Sequence, residues 1–413
     1  MFDLPLGHDT PSYMKAATSI IYTNYDSFRP PAYPLLIALI FLLIRIFIPS
    51  NDFIITYNSL ALSARLASLV SGVLLIVCSY YVFSKAAMRL LSEEKKKEIS
   101  KYIGFIVSFF LSFSFYFIGY SAIGMRECFL SVLIVLLFYF IIIKEQMNLK
   151  DNLSLAFLIS WLTLTLLTAG LLSIAGLILF YIISKIKRFQ FKFSTISKKK
   201  LLLLITSFLI TFLFWVIFSI YKWDDPFYNW QTQTSIIKTF ENTEISSIAF
   251  SLKMILETIL HSIIIGIPKE FRLLFKLLGF IFSLIFLYVL LKNFKKKPLV
   301  FIFFFVGTHF AFLSIFYSFG SLDYRFIMYF FPLLIFLGAL PLGRIFYSAI
   351  NEQQKNSFPT IILFLLFFLT LYLRGLSSIT GDIFYRIYII INELTIFSIL
   401  ILYRNRIYYS FDI

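Results

Sequence analysis

The residues of this chain that can do chemistry are few, and most sit at the edges of long apolar runs. Asp9, Thr10 and Pro11 open a polar stretch, GHDTPSYMKAATSIIYTNYDSFRPPAYP (7–34), which also holds His8, Tyr13, Lys15, Asp26 and Arg29. Arg65, then Arg126 beside Glu127, and later Tyr324 beside Arg325 interrupt or flank apolar segments. A carboxylate can accept a proton, and a guanidinium fork matches the oxygens of carboxylates and phosphates. Proton transfer and phosphate recognition are therefore the chemistries on offer. Ionisable residues at membrane depth default to a functional reading. The plainer alternative is open for Arg65 and Arg126, because an Arg at a span end commonly snorkels to the interface; Glu127 would then be a counter-ion. Asp224 and Asp225, between Trp223 and Tyr228, offer oxygen ligands that suit Mg²⁺ or Mn²⁺. One Asp pair without further ligands does not make a site, so no metal and no other cofactor is expected. His261 and His309 lack ligand-spaced partners, and Cys78 and Cys128 are far apart in apolar runs, which suits packing. The chain has no GxxxxGK[ST], HExxH or paired CxxC motif.

The elements that must position these residues follow from composition. The 413 residues are 60% hydrophobic, 20% aromatic and only 14% charged, with 53 Phe. Soluble domains carry about 25% charged residues, so an ordinary soluble enzyme, a disordered chain and a disulfide-stapled module are excluded. Apolar runs long enough to cross about 30 Å of hydrocarbon as helix recur throughout. The expectation is an all-α, polytopic transmembrane helical bundle of about eleven spans plus outer-face juxtamembrane helices. The spans fall near 60–83, 102–120, 128–143, 153–169, 171–184, 201–221, 271–291, 299–318, 326–346, 358–374 and 383–402. The stretch 153–184 reads as two helices turning at Thr168-Ala169-Gly170, since one helix of that length would reach about 48 Å.

Lys and Arg fall mainly in alternate loops, 23 on one side against 10 on the other. The richer side is cytoplasmic. Residues 222–270 then face outward, the C-terminus is cytoplasmic, and the +16 net charge is a topology signal with no nucleic-acid partner implied. Thr10 as N-cap and Pro11 at the first helical position start a short amphipathic helix with Tyr13, Ala16, Ala17, Ile20 and Ile21 on one face. Asp9 lies at its positive dipole end, which favours the ionised carboxylate. On periodicity alone, Asp9 and Thr10 simply cap an interfacial helix. Residues 31–48, rich in Pro at their start, fit either a short span or an outer interfacial helix. Ile248, Leu252, Ile255, Ile259 and Ile263 mark another interfacial helix.

Five short patterns, in order, carry a resemblance. They are Asp9-x-x-x-Tyr13-x-x-x-Ala17, Arg29-Pro-Pro-x-Tyr33-Pro34, Ala64-Arg65-Leu66 with Ser68 and Gly72, Tyr120-Ser121 with Arg126-Glu127, and Asp323-Tyr324-Arg325-Phe326 before Phe331-Pro332-Leu333. Together they resemble the GT-C glycosyltransferases, and among these the protein O-mannosyltransferases and the aminoarabinose transferases of lipid A. The likeness runs over roughly residues 3–345. Two departures stand out: Phe326 replaces a Tyr common in relatives, and no Lys or Arg lies near Thr168-Ala169-Gly170. Relatives also begin with a span that carries the Asp loop outward, so Met1 is expected to be an internal start or the chain a fragment.

The resemblance implies transfer of a sugar from a polyprenyl-phosphate-linked donor to an acceptor hydroxyl at the outer face of the plasma membrane, with inversion. The acceptor is a glycan, lipid or protein. Asp9 is then the general base, with Asp3, Asp26 and His8 as rivals. Arg325 is the first choice for the donor phosphate, with Arg29, Arg65, Arg126 and Glu127 in the same binding set. Tyr13 and Tyr324 are expected to hydrogen-bond sugar or phosphate. Organisation follows: 1–59 an outer-face loop with juxtamembrane helices, 60–346 a GT-C-like core including loop 222–270, and 347–413 C-terminal transmembrane helices. The rival functions are a lipid-sugar flippase, which would be expected to show repeated halves, and an inactive scaffold relative.

Overall fold

The computed structural model describes residues 6, 9–22, 25, 27, 29–49, 52–91, 95–144, 147–186, 196–226, 228, 260, 264, 280–317 and 325–351. All regular structure among them is helical, in the order α1 (Thr10–Ile21), α2 (Ala32–Phe47), α3 (Phe53–Leu90), α4 (Lys96–Phe113), α5 (Phe115–Ala122), α6 (Glu127–Phe138) and a π-helical turn (Tyr139–Ile143). Then follow α7 (Leu149–Thr165), α8 (Leu167–Lys185), α9 (Lys198–Trp223), α10 (Phe280–Lys292), α11 (Lys297–Tyr317), α12 (Arg325–Met328) and α13 (Phe331–Asn351). Five of the described helices are long and apolar enough to cross a membrane: Ile54–Leu90, Leu167–Lys185, Lys198–Trp223, Lys297–Ser314 and Phe331–Ser348. The all-α, multi-pass membrane architecture expected from composition is therefore present. The last two expected spans, 358–374 and 383–402, lie outside the described residues, as do 248–259 of the interfacial helix and His261.

Helix ends follow local chemistry. Asp52 starts α3 by accepting from the Ile54 and Ile55 amides at 2.8 and 3.1 Å. At its 38 residues α3 is about 57 Å long, well beyond a hydrocarbon core. Its first half carries α2 folded back along it in antiparallel sense, tied by Tyr33 Oη to Ser68 Oγ at 2.6 Å at one end and by Arg45 to Thr56 at the other. The side of α2 turned away exposes Leu42, Leu43, Ile46 and Phe47. The second half of α3 packs on α4 and α6, and α4 on α13. Phe83 of α3 stacks on Phe336 at 4.9 Å and meets Phe138 at 5.7 Å, and Phe301 closes the cluster against Phe138 and Phe180. Because lipid tails are as apolar as these side chains, close packing holds such helices together.

Two expected spans are interrupted where hydropathy sees continuity. The span 102–120 breaks at Ser114, whose backbone is extended, into α4 and α5. The span 326–346 breaks at Tyr329-Phe330 into α12 and α13. Pro332 falls in the first turn of α13, where its missing N–H costs nothing. The pair across 153–184 is indeed two helices, but they turn at Leu166 (φ −153°, ψ 109°); Thr168-Ala169-Gly170 belong to the first turn of α8. His309 is buried in α11, with Nδ1 hydrogen-bonded to the Phe305 carbonyl at 2.7 Å and its ring among Phe305, Tyr329 and Phe330, a packing role as expected.

Candidate active site

Helix α1 is seated against the turn between α5 and α6. Thr10, Tyr13, Met14, Ala16 and Ala17 are buried on its inner face. The cap expected of Thr10 is not made. The N-cap is Asp9, and its side chain makes no cap hydrogen bond. Thr10 Oγ1 instead donates to the Ile123 carbonyl at 2.8 Å and the Gly124 carbonyl at 3.2 Å. The Asp9 carboxylate turns to Arg29, whose Nη2 lies 2.7 Å from Oδ1. Asp9 thus commits its carboxylate to a guanidinium, a charge-assisted pair, while Thr10 lies inside the first turn and donates its hydroxyl across to the α5–α6 turn.

Gly124 makes the contact with Thr10 possible. Its φ is +81°, and a Cβ there would sit 2.8 Å from Thr10 Cγ2 and 3.3 Å from Ala64 Cβ. An L-residue in that backbone region costs about 1–2 kcal/mol, before any clash. Gly124→Ala is accordingly expected to lower unfolding stability by at least that amount, read as a reduced melting temperature of the purified protein.

The sequence patterns meet one another at this turn. Ser68 accepts the Tyr33 hydroxyl contact and donates to the Met125 carbonyl at 2.7 Å. Gly72 lies one turn further along α3, where an added Cβ would stand 2.9 Å from Ser121 Cβ. Ala64, Ser68 and Gly72 thus form one edge of α3 that receives the α5–α6 turn and fixes where Arg126 emerges.

Arg126 is buried at the start of α6 (5% exposed) and donates from Nη1 to the Thr165 carbonyl, 3.2 Å away, at the end of α7. Among the described residues its Nε has no hydrogen-bond partner. Its guanidinium lies 5.7 Å from the Tyr13 ring centroid, and that of Arg29 lies 5.1 Å from the same centroid. Tyr13 therefore stands between two cations, with Tyr33 edge-on at 5.2 Å. Arg29 also donates from Nε to Ser12 Oγ at 3.0 Å. Glu127 is buried next to Arg126, and its charge acts on Tyr13 together with that of Asp9. Asp9, Tyr13, Arg29, Arg126 and Glu127 form one cluster with its two cations and two carboxylates balanced.

Burial pushes the Tyr13 phenol up to about 12, against the pull of Arg126 and then Arg29. It stays protonated, and its hydroxyl has no hydrogen-bond partner among the described residues. An unfolded Tyr ionises near 10. Between about pH 10 and 12 the unfolded chain therefore binds fewer protons than the folded one, and stability falls as pH rises through that window. Tyr13→Phe is expected to flatten this alkaline loss in thermal unfolding measured across the same range.

The remaining residues are placed as follows. Arg65 is half-buried on α3 at the level of Ala64 and Ser68. Arg325 begins α12, which packs on α6, where the Met328 carbonyl lies 3.5 Å from Ser131 Oγ, one turn beyond Glu127. The Arg325 side chain, Tyr324, His8, Asp3 and Asp26 lie outside the described residues. Among those described, no three His, Cys, Asp or Glu side chains gather as a metal group; Asp224 is the left-handed C-cap of α9 (φ 52°). Sequence reasoning passed over the aromatic seat of Arg29. Tyr25 donates to the Arg29 carbonyl, and its ring rests on Trp215 and Phe218 of α9. Trp215 looks like any lipid-facing aromatic in the sequence, so no signal pointed to it.

The fold, a polytopic helical bundle with α1 packed over the α5–α6 turn, is similar to that of solved membrane-protein structures. The whole chain superposes on 72% of ArnT from Cupriavidus metallidurans bound to undecaprenyl phosphate, with a TM-score of 0.51 and 12% identity. The apo form of that protein matches over 99% of this chain and 72% of its own, with a TM-score of 0.47 and 11% identity. An Archaeoglobus fulgidus oligosaccharyltransferase tethered to an acceptor peptide matches 94% of this chain and 51% of its own length, with a TM-score of 0.49 and 14% identity. No protein-family profile and no curated protein sequence matches the chain.

Proposed function

We propose that this protein is a membrane glycosyltransferase that moves a sugar from a polyprenyl-phosphate donor to an acceptor hydroxyl at the outer membrane face. The observation that carries this reading is the cluster of Asp9, Arg29, Tyr13 and Arg126, built where the resemblance to GT-C enzymes assigns catalysis, in a fold shared with a protein solved with undecaprenyl phosphate. Asp9 keeps its side chain partly open (18% exposed) while Arg29 fixes its direction. In the proposed reaction the acceptor oxygen attacks the anomeric carbon and its proton passes to the Asp9 carboxylate. The anomeric C–O bond breaks with its electron pair leaving on the lipid phosphate, and the configuration inverts. Arg126 meets the charge that develops on that phosphate, with Arg325 and Tyr324 as its expected companions. Tyr13 offers a hydroxyl proton to sugar or phosphate. Arg29 positions Asp9, and Arg65 and Glu127 border the donor. No resident metal is proposed. Membranes containing the protein should move radiolabel from a polyprenyl-phosphate sugar into an acceptor fraction. Transfer no greater than that of membranes lacking it contradicts the reading.

A further inference from the structure

At the far end of α6 from Arg126 lies a second polar feature that the transfer reaction does not use. The eighteen residues from Arg126 to Lys144 put it about 27 Å away along the helix, close to one hydrocarbon thickness. A cavity of about 660 Å³ opens there, and its lining includes Lys144, Lys199, Lys200 and Lys297 with Asn152 and Ser197. Three helices start at this cavity: α7 after Asn148, α9 after Ser197, and α11 at Lys297. Each start presents unsatisfied amides and the positive end of a helix dipole.

Lysine is the wrong residue for such a place if stability alone is served. Cations belong at helix C-termini and carboxylates at N-termini. Yet α9 opens with Lys198, Lys199 and Lys200, and neither α9 nor α11 has an acidic residue in its first turn. Asp151 offsets Lys144, held 2.7 Å from its Nζ, and is already used in the α7 capping box. Lys200 is fixed in place by the Phe140 and Lys144 carbonyls at 2.7 and 3.1 Å, at the end of the π-helical turn. Membrane topology requires basic residues near this face. It does not require them around one cavity, at three helix starts. An anion drawn into the cavity would relieve both the lysine repulsion and the dipole mismatch.

Apolar side chains complete the wall, Ile141, Met147 and Leu203 among them, and Leu149 at the rim is exposed. That mixture of cations and exposed apolar surface suits a phosphate attached to an acyl-chain lipid better than a free ion. We propose that this cavity binds the phosphate head group of an anionic phospholipid, on the membrane face opposite Asp9, and so anchors α7, α9 and α11 at their common end. The site is independent of the transfer reading and stands or falls separately.

The test is thermal stability and native mass spectrometry of the full-length protein in detergent, titrated with phosphatidylglycerol or with phosphatidylcholine of the same chains. Phosphatidylglycerol is expected to bind and raise the melting temperature, and phosphatidylcholine is not. Lys199→Glu with Lys297→Gln should weaken phosphatidylglycerol binding by about ten-fold or more, while Lys101→Gln, an exposed lysine outside the cavity, leaves it unchanged. Should the double variant fail to fold, Lys199→Glu alone, at an exposed position, gives the same reading. Equal binding of both lipids, wild-type binding by Lys199→Glu, or an equal shift from inorganic phosphate at the same phosphate concentration would each overturn the proposal.

Discussion

Asp9→Asn is expected to reduce the turnover number for sugar transfer by about 10²–10⁴-fold, the range a positioned general base supplies. Asn keeps the size of Asp and a carbonyl oxygen for Arg29 Nη2, so the pair now at 2.7 Å becomes a neutral-acceptor hydrogen bond and is not lost. The pair is mostly buried, with side chains 11% and 18% exposed, and weakening a hydrogen bond between charged groups there costs about 1–3 kcal/mol of stability. A stability change of that size cannot produce a hundred-fold loss of rate in a folded enzyme. Donor KM should move by only a few-fold, because the carboxylate is assigned to the acceptor's proton. The check is steady-state transfer by wild type and variant, with melting temperatures measured in parallel. A turnover number within three-fold of wild type removes Asp9 as the base and leaves His8, Asp26 and Asp3 as candidates.

The second large effect is at Arg126. Arg126→Ala is expected to lower the turnover number by about 10²–10³-fold, the magnitude seen when one donor to developing transition-state charge is removed. It also removes a buried cation beside buried Glu127 and empties one face of the Tyr13 ring, so stability falls as well. Arg126→Lys separates the two contributions. It retains the charge but not the planar fork, which makes the Thr165 carbonyl contact and covers the ring at once. A structural Arg that only ties α6 to α7 would leave the turnover number of the Lys variant intact while lowering its melting temperature. An Arg that meets the leaving phosphate leaves the Lys variant folded but slow. Turnover and melting temperature measured on both variants distinguish these outcomes.

The parts of the candidate cluster are legible in the sequence, because they lie in short patterns whose order is fixed by the chain. Ser68, Gly72, Ser121, Arg126 and Tyr33 were each visible as members of such patterns; their mutual contacts were not. Those contacts depend on α3 presenting one edge to the α5–α6 turn, which the residue spacing of α3 permits but does not require. Thr10 illustrates the reverse failure. Its position before Pro11 signals a cap, yet the signal cannot register carbonyls more than a hundred residues away that accept its hydroxyl instead. The helix breaks at Ser114 and Tyr329-Phe330 were invisible for a related reason, whereas the break in 153–184 was expected and lies only two residues before its expected place. Hydropathy counts apolar length, and non-helical backbone within a bundle survives wherever neighbouring protein shields it from lipid. Tyr25 and Trp215, which seat Arg29, carry no local mark at all, since aromatic rings near a membrane edge are commonplace.

The central claim is that a sugar leaves its lipid phosphate on this protein. The most direct measurement uses purified protein in proteoliposomes with a polyprenyl-phosphate sugar labelled separately in the sugar and in the lipid. The expected result is sugar label in the acceptor, matched mole for mole by free polyprenyl phosphate, with both lost in Asp9→Asn. Movement of the intact, doubly labelled donor from one leaflet to the other, with no polyprenyl phosphate released, would contradict the account and identify a lipid-sugar flippase in its place.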